Sequence, residues 1–317
     1  MLFDLRPKER RDELFDREEE LESLHRLVGS EWVVILGRRM MGKTSLLKSF
    51  LHEVDGIYIN LSGVRSVKGL VEELMKYARK LGIEVSVGPL TISWSRLAED
   101  VFSKFDGKVI GFDEAQDLPV NYSLKLFKKV WDTYDIRIIF TGSMIGLITG
   151  LLEPTPRSPL YGRQPAKITL KPFTHGQSLE FLTKGFRECR LDAPLNELEE
   201  AIDLLGGYPG WLAYYGNMRC IRRLTHKEAL EQVYQEGKQI LLEELKKFLE
   251  SRKTPEKYIK LLKLLPARWS ELKNAMNINS KVLNDMIQNL EKAIIIEKKG
   301  DTYTIPDPIM RNLIFEL

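Results

Sequence analysis

The sequence predicts an α/β core built on a parallel sheet, followed by a helical lid domain and a C-terminal winged helix-turn-helix. Three observations carry this. Five short apolar, β-rich runs alternate with helix-period segments over residues 1–172. From Phe173 the alternation stops and helical periods alone follow, up to residue 250. Over residues 251–317, three short helical segments precede two β runs about a Lys-Gly-Asp turn. A length of 317 residues agrees with two or three domains, bounded here as 1–172, 173–250 and 251–317.

The strand candidates come in order. "EWVVILG" is the first, and "GIYINLS" (Gly56–Ser62) the second. "KVIGFDEAQDL" (Lys108–Leu118) is a buried-strand signal that ends in Asp113-Glu114. "DIRIIFTGSMIGLI" (Asp135–Ile148) is read as one apolar strand, and "AKITL" (Ala166–Leu170) completes the set. Between them, helical periods cover Val67–Leu81, Ile92–Phe105 and Leu124–Trp131, which place Trp94 and Trp131 in core-helix patterns. The four prolines and the glycine of "LLEPTPRSPLYGRQP" exclude regular structure there.

The helical unit begins with "THGQSLEFLTKGF" and "NELEEAIDLL", and "GGYPGWLAYYGNMRCIRRL" opens another helix. Thr225 and Glu228 fit a capping box before the long amphipathic run "KEALEQVYQEGKQILLEELKKFL". In the last unit "TPEKYIKLLKLLP" is followed by "SELKNAM", capped by Ser270, and by "SKVLNDMIQNLEKA", capped by Ser280.

The chemistry concentrates at "GRRMMGKTSLL". Gly37-Arg38-Arg39-Met40-Met41-Gly42-Lys43-Thr44 meets G-x-x-x-x-G-K-[ST] at every fixed position, with Ser45 next. Gly37 and Gly42 are expected to allow backbone angles closed to other residues, so that successive N–H groups point at phosphate oxygens. Lys43 is then placed for the β/γ-phosphates and the Thr44 hydroxyl for Mg²⁺. An apolar strand before the loop and an amphipathic helix after it supply the required setting. At the end of the third strand, Asp113 suits Mg²⁺ held through water, and Glu114 suits polarising an attacking water. Thr141-Gly142-Ser143 ends the next strand, where ligands sit in open α/β sheets, so Ser143 is a candidate to sense the γ-phosphate or to orient the water. The proline-rich loop is a candidate lid whose cations are Arg157 and Arg163.

Composition excludes several classes. Hydrophobic residues are 43% and charged residues 29%, a core-forming balance without an apolar run long enough for a membrane span. Net charge is +3, with no overall signature for nucleic acid, although residues 251–317 hold 12 basic and 8 acidic side chains. The charged N-terminus is not a signal peptide, and two cysteines without CxxC spacing suit a reduced, cytoplasmic protein. The four histidines lack metal-ligand spacing.

The ordered series "FDREEELESL", "GRRMMGKTSLL", "GFDEAQ", "FTGSMIGLI", "PLYGR", "GGYPGWL" and "YTIPDPIMRNLIF" resembles the archaeal ATPase family, in the STAND branch of AAA+-related P-loop NTPases. The resemblance covers nearly the whole chain. It implies a P-loop core, a helical lid and a C-terminal winged helix. It implies ATP/ADP and Mg²⁺ as cofactors, with Lys43, Thr44 and Asp113 on phosphate and metal, and Glu114 in catalysis. It places Ser143 at the first sensor position and Arg163 near the γ-phosphate. It sets Pro209 against adenine, with Phe15 and Arg17 approaching the base. Met40-Met41 departs from the usual pattern, and the large repeats of many STAND proteins are missing from this sequence.

Three functions remain open at this point. One is a slow Mg²⁺-dependent ATPase acting as a conformational switch, with ATP favoured over GTP because no NKxD segment is found. Another is an ATP-gated DNA-binding protein, similar to origin-recognition relatives, that reads through Lys281, Asn284, Gln288 and Asn289. The third is a switch whose winged helix meets a protein partner. Oligomeric state, and whether Arg163 acts within its own chain, stay open.

Overall fold

The β-rich runs of the first half pair into one parallel sheet, and the reason is their burial on both faces. The computed structural model describes residues 1–82, 94–142, 147–250 and 252–317. The chain divides into two compact units, one of Arg6–Lys171 and one of Pro172–Leu317 joined by Met1–Leu5.

The first unit runs α1 (Glu18–Val28), β1 (Val33–Leu36), α2 (Lys43–Glu53), β2 (Ile57–Asn60), α3 (Val67–Lys80), α4 (Trp94–Ser103) and β3 (Val109–Asp113). It continues with α5 (Val120–Thr133), β4 (Arg137–Gly142), α6 (Leu147–Leu152) and β5 (Ala166–Thr169). The strand order is β2-β3-β4-β1-β5, every pair parallel. Strand β4 therefore lies between the strand that feeds the glycine-rich loop and the strand that ends in Asp113. All residues of β1 and β3 are buried, as a sheet covered on both faces requires.

One face is covered by α2. It comes so close to β3 that a Cβ on Gly111 would meet Leu51 Cδ1 at 2.6 Å and Leu47 Cδ1 at 2.7 Å. On the other face an aromatic cluster fills the layer under α4 and α5. Phe112 stacks on Phe140 at 5.8 Å, and Phe127 meets Phe140 edge-on at 5.1 Å. Trp32 adds its ring at 4.7 Å from Trp131 and donates its indole N–H to Ile136 O.

Some elements differ from expectation. The strand read over Asp135–Ile148 stops at Gly142, and Leu147 and Ile148 belong to α6. Leu147, Ile148 and Leu151 are all buried and share one helical face, a period that a continuous apolar run conceals. Helix α5 is longer than Leu124–Trp131, starting after Pro119. Of the helix read over Ile92–Phe105, Ile92 lies outside the described residues. Trp94 is not core: it is 44% exposed, with Lys68 Nζ 5.5 Å from its ring.

The second unit runs α7 (His175–Glu188), α8 (Leu195–Leu205), α9 (Pro209–Cys220), α10 (His226–Glu250) and α11 (Pro255–Lys263). It closes with β6 (Ala267–Arg268), α12 (Trp269–Met276), α13 (Ser280–Lys292), β7 (Glu297–Lys299), β8 (Thr302–Thr304) and α14 (Pro308–Glu316). The last three strands form an antiparallel sheet in the order β6-β8-β7, with Gly300 at φ +58 in the turn of the β7–β8 hairpin. Thr225 and Glu228 make the expected capping box. Ser270 and Ser280 do not cap. Asn279 is the N-cap of α13, accepting from Lys281 N–H, and Ser270 lies inside α12. At α12 the Glu271 carboxylate accepts the Arg268 N–H, so the helix can begin earlier than the serine.

The "GGYP" turn is fixed by space. A Cβ on Gly207 would meet Phe173 O at 1.9 Å, and Gly206 has φ +67. Pro209 then opens α9 at a position where its missing N–H costs nothing. Pro308 of α14 rests on Gly206, so two segments that carried the family resemblance meet here.

The cysteines are a correction. Cys189 at the end of α7 and Cys220 at the end of α9 form a disulfide, with Cα atoms 5.9 Å apart. Packing of α7 on α9 brings them together across 31 residues, a pairing no local spacing reveals. The reduced state expected from cysteine spacing is thus not the one observed.

The N-terminus also anchors this unit. Phe3 is fully buried between Phe181 and Phe186, and a Cβ on Gly185 or Gly216 would strike its ring at 2.2 or 2.4 Å. Asn217 Nδ2 donates to Phe3 O at 2.9 Å. Phe3→Ala is expected to destabilise this unit by about 3 kcal/mol, the usual cost of emptying an aromatic core site. A shift in the denaturant midpoint of helical signal checks it; no shift would mean the first residues are dispensable.

Candidate nucleotide site

The residues singled out around the glycine-rich loop converge where the strands of the first unit end. Gly42 is the N-cap of α2 with φ 84 and ψ 20, a left-handed conformation that favours glycine. It turns the chain so that the first N–H groups of α2 stay outside the helix ladder, available to an anion. Gly37 has a different role from the one expected. Its φ is not positive; a Cβ there would meet Leu170 Cβ and Met41 Cβ, each at 3.3 Å. Met40, not Gly37, takes the other left-handed position, at φ 66.

Lys43 Nζ donates to Gly37 O at 2.8 Å and to Arg38 O at 3.1 Å, which holds the ammonium in the hollow of the loop. Arg38 and Met41 are buried, and Arg39 is exposed. Ser45 Oγ accepts the Lys8 N–H at 3.1 Å, tying the segment before α1 to the start of α2. Phe15 is half-buried. Arg17 is buried and donates to Lys171 O at 3.1 Å, with Glu20 alongside. Burial holds its guanidinium below the usual range, an effect Glu20 opposes.

Asp113 is the hub. The Thr44 hydroxyl donates to Asp113 Oδ2 at 2.8 Å, and the Thr141 hydroxyl donates to Oδ1. The Tyr58 hydroxyl also donates to Oδ2, at 2.8 Å. The carboxylate is 2% exposed, so these three donors are what let its charge stay in the sheet. Tyr58 was not singled out from sequence. Its signal is the "YIN" alternation: β2 pairs with β3 in register, Asn60 beside Asp113. Burial and the Asp113 charge push the phenol well above its usual range, which keeps it a donor.

Tyr58→Phe is expected to cost the core about 1.5–3 kcal/mol at neutral pH, the range for a hydrogen bond to a charged group. The folded phenol holds its proton more tightly than the unfolded one. Its contribution is therefore full below about pH 10, the ordinary phenol value, and fades as pH rises beyond it. Denaturant midpoints of the two proteins should differ at pH 7 and converge in strong alkali; a constant gap would contradict the assignment.

Glu114 follows in a left-handed conformation, φ 56 and ψ 42, its N–H donating to Thr141 Oγ1 at 3.3 Å. Gln116 Nε2 donates to Glu114 Oε2 at 2.6 Å. Ser143 lies outside the described residues.

Arg163 is not brought to the loop of its own chain. It pairs with Asp132 in the last turn of α5, Nη2 to Oδ1 at 3.3 Å, three residues before β5 begins at Ala166. Ala166 stands beside Val33, at the edge where the strands start. A strand of four residues, about 13 Å, separates that edge from the phosphate loop. Arg157 is exposed. Pro209 belongs to the second unit, at the start of α9.

Among the described residues no cluster of three or more His, Cys, Asp or Glu could hold a metal. The oxygen pair of Thr44 and Asp113 instead suits a cation that keeps most of its ligands as water and phosphate, which is the habit of Mg²⁺. Among them, too, no helix is long and apolar enough to cross a membrane.

A parallel five-stranded sheet with a lysine-bearing glycine loop at its strand ends defines a P-loop NTPase. The comparisons agree. A model of the ATPase domain found predominantly in Archaea matches residues 14–215, and the chain belongs to that family. A Walker-type ATPase of Pyrococcus abyssi is similar over 99% of this chain and 100% of its own, with TM-score 0.81 and 33% identity. The ORC2 protein of Aeropyrum pernix, solved as ADPNP–ADP complexes, is similar in fold, with TM-score 0.51 and 14% identity over 99% of this chain and 97% of its own. An uncharacterized protein of Methanocaldococcus jannaschii is 29% identical over 212 residues, 62% of this chain. The matched stretch spans 43% of that relative's length.

Proposed function

We propose that this protein binds ATP with Mg²⁺, hydrolyses it slowly, and uses the bound nucleotide as a conformational switch. The observation that carries the reading is the convergence of Lys43, Thr44 and Asp113 at the ends of β1 and β3. Main-chain N–H groups of the loop and Lys43 bind the phosphates. Mg²⁺, held by Thr44 and through water by Asp113, would offset charge on the β- and γ-phosphates. Thr141 and Tyr58 keep the Asp113 carboxylate oriented through their own hydrogen bonds. Glu114 takes the proton of the attacking water as the water's oxygen bonds to the γ-phosphorus and ADP leaves.

Residues 251–317 are read here as a winged helix, with α13 as its third helix and β7–β8 as the wing. Protein contact is favoured over duplex reading by what α13 already does. Asn284 Oδ1 accepts from Trp269 Nε1 at 2.7 Å, and Asn289 Nδ2 donates to Tyr258 Oη at 3.1 Å. Two of the four side chains expected to reach bases are therefore engaged within the unit. The wing lysines are engaged too: Lys299 pairs with Glu297, and Lys298 lies 5.7 Å from the Tyr303 ring. The two wing lysines thus already have partners within their own unit, whereas duplex affinity rests on cations that meet phosphate.

Phosphate release from ATP, with Mg²⁺ and with chelator, tests the enzyme reading. Magnesium-dependent turnover of ATP but not GTP is expected, and its absence would leave only a binding protein. Duplex affinity across a salt series tests the second choice. Steeply salt-dependent binding would restore the DNA reading.

A further inference from the structure

We propose that Gln116 is a positioning residue for hydrolysis: it grips one oxygen of the Glu114 carboxylate and leaves the other to take the proton from water. The inference rests on Glu114 as the base in the reading above. Its evidence is separate and lies in how the Gln116 amide is held.

Gln116 belongs to the short 3-10 turn that follows β3, two residues beyond Glu114. Its Nε2 donates to Glu114 Oε2 at 2.6 Å. A carboxylate can only accept, so the amide must turn its NH₂ toward Glu114. That commits Oε1 to the opposite side. There Oε1 is buried and, among the described residues, has no hydrogen-bond partner. It lies against Gly142, the last residue of β4, where an added Cβ would stand 2.3 Å from it. The amide is thus wedged between Glu114 and the end of β4.

An unpartnered buried carbonyl oxygen is costly, and a turn glutamine free to rotate would present it to water. Here the hydrogen bond to Glu114 and the missing side chain of Gly142 hold the costly arrangement in place. Glu114 itself carries a left-handed backbone, a second local strain at the same point. What the two together achieve is one fixed carboxylate. A glutamate side chain has three rotatable bonds, and a base that wanders is rarely in line with its water. The donor is neutral, so it orients the carboxylate without the salt bridge that a lysine or arginine would make. Gly142 has a reason of its own in this scheme: any side chain there would push the amide off Glu114.

Gln116→Met keeps the volume and removes both donor and acceptor. Turnover and KM for ATP are measured with Mg²⁺, and ADP affinity by calorimetry, in the wild-type and Glu114→Gln backgrounds. The turnover number is expected to fall about tenfold or more, within the range a positioned base supplies. KM and ADP affinity should stay within about twofold, because nothing that holds the phosphates has moved. On the Glu114→Gln background the same substitution should cost nothing further. Gly142→Ala, which displaces the amide without altering it, should lower turnover in the same way. Its effect should vanish once Gln116 is alanine.

Wild-type turnover in Gln116→Met would overturn the proposal. So would an equal loss on the Glu114→Gln background, since Gln116 would then act on something other than Glu114. Wild-type turnover of Glu114→Gln itself is a different failure: it removes the base, and the proposal falls with the reading beneath it.

Discussion

Lys43→Ala is expected to fold normally and to lose ATP binding. The side chain is half-buried at the first turn of α2, and its ammonium donates to the carbonyl oxygens of Gly37 and Arg38. Each of those bonds has an ionised donor and is worth about 1.5–3 kcal/mol, but the side chain is not one of the buried core residues. Charge-assisted hydrogen bonds to phosphate are about twice as strong as neutral ones, and Lys43 carries the ammonium that is held in the hollow of the loop. Affinity for ATP should fall by at least about 100-fold, or roughly 2.8 kcal/mol. Calorimetric titration beside a circular dichroism spectrum separates the two effects. A folded Lys43→Ala protein with unchanged ATP affinity would sink the nucleotide reading altogether.

The loop was legible because its needs are local. Gly42 must turn left-handed, and Lys43 and Thr44 must follow at once, so the requirement is written in adjacent letters. The strands were legible for a similar reason: a sheet covered on both faces demands runs of β-branched residues. The function of Gly37 was not legible. Its neighbour besides Met41 is Leu170, just after β5 and 133 positions away in sequence, and only the pairing of β1 with β5 creates that contact.

Tyr58 shows the same limit. Its partner Asp113 is 55 residues distant, and the phenol finds it only because β2 lies beside β3. In sequence it reads as one more β-forming aromatic. Arg163 was placed by likeness to a motif near the phosphate. The connection from α6 to β5 has to return to the edge where the strands start, because β5 runs parallel to β1. That geometry sets "PLYGR" just before the start of β5, where Arg163 pairs with Asp132. Cys189 and Cys220 look unrelated until α7 packs on α9. In each case the missing information is a long-range contact, not a residue type.

Glu114→Gln is the complementary experiment, and it is expected to bind ATP as the wild type does while losing nearly all turnover. The exchange is close to isosteric. The backbone at Glu114 stays left-handed, supported by its N–H bond to Thr141, and the new amide oxygen can still accept from Gln116. What it cannot do is take a proton from water at neutral pH. General-base assistance contributes about 10²–10⁴ in rate, and the loss should fall within that range. Asp113→Asn should behave differently. Thr44, Tyr58 and Thr141 all donate to this carboxylate, and an asparagine there presents an NH₂ to at least one of those donors. Magnesium-dependent ATP binding should weaken, whereas Glu114→Gln leaves it intact. Phosphate release and ATP affinity, each measured with and without Mg²⁺, distinguish the two variants. If both lose turnover with no change in binding, the carboxylates share one role, and Asp113 is not the residue that holds the metal's water.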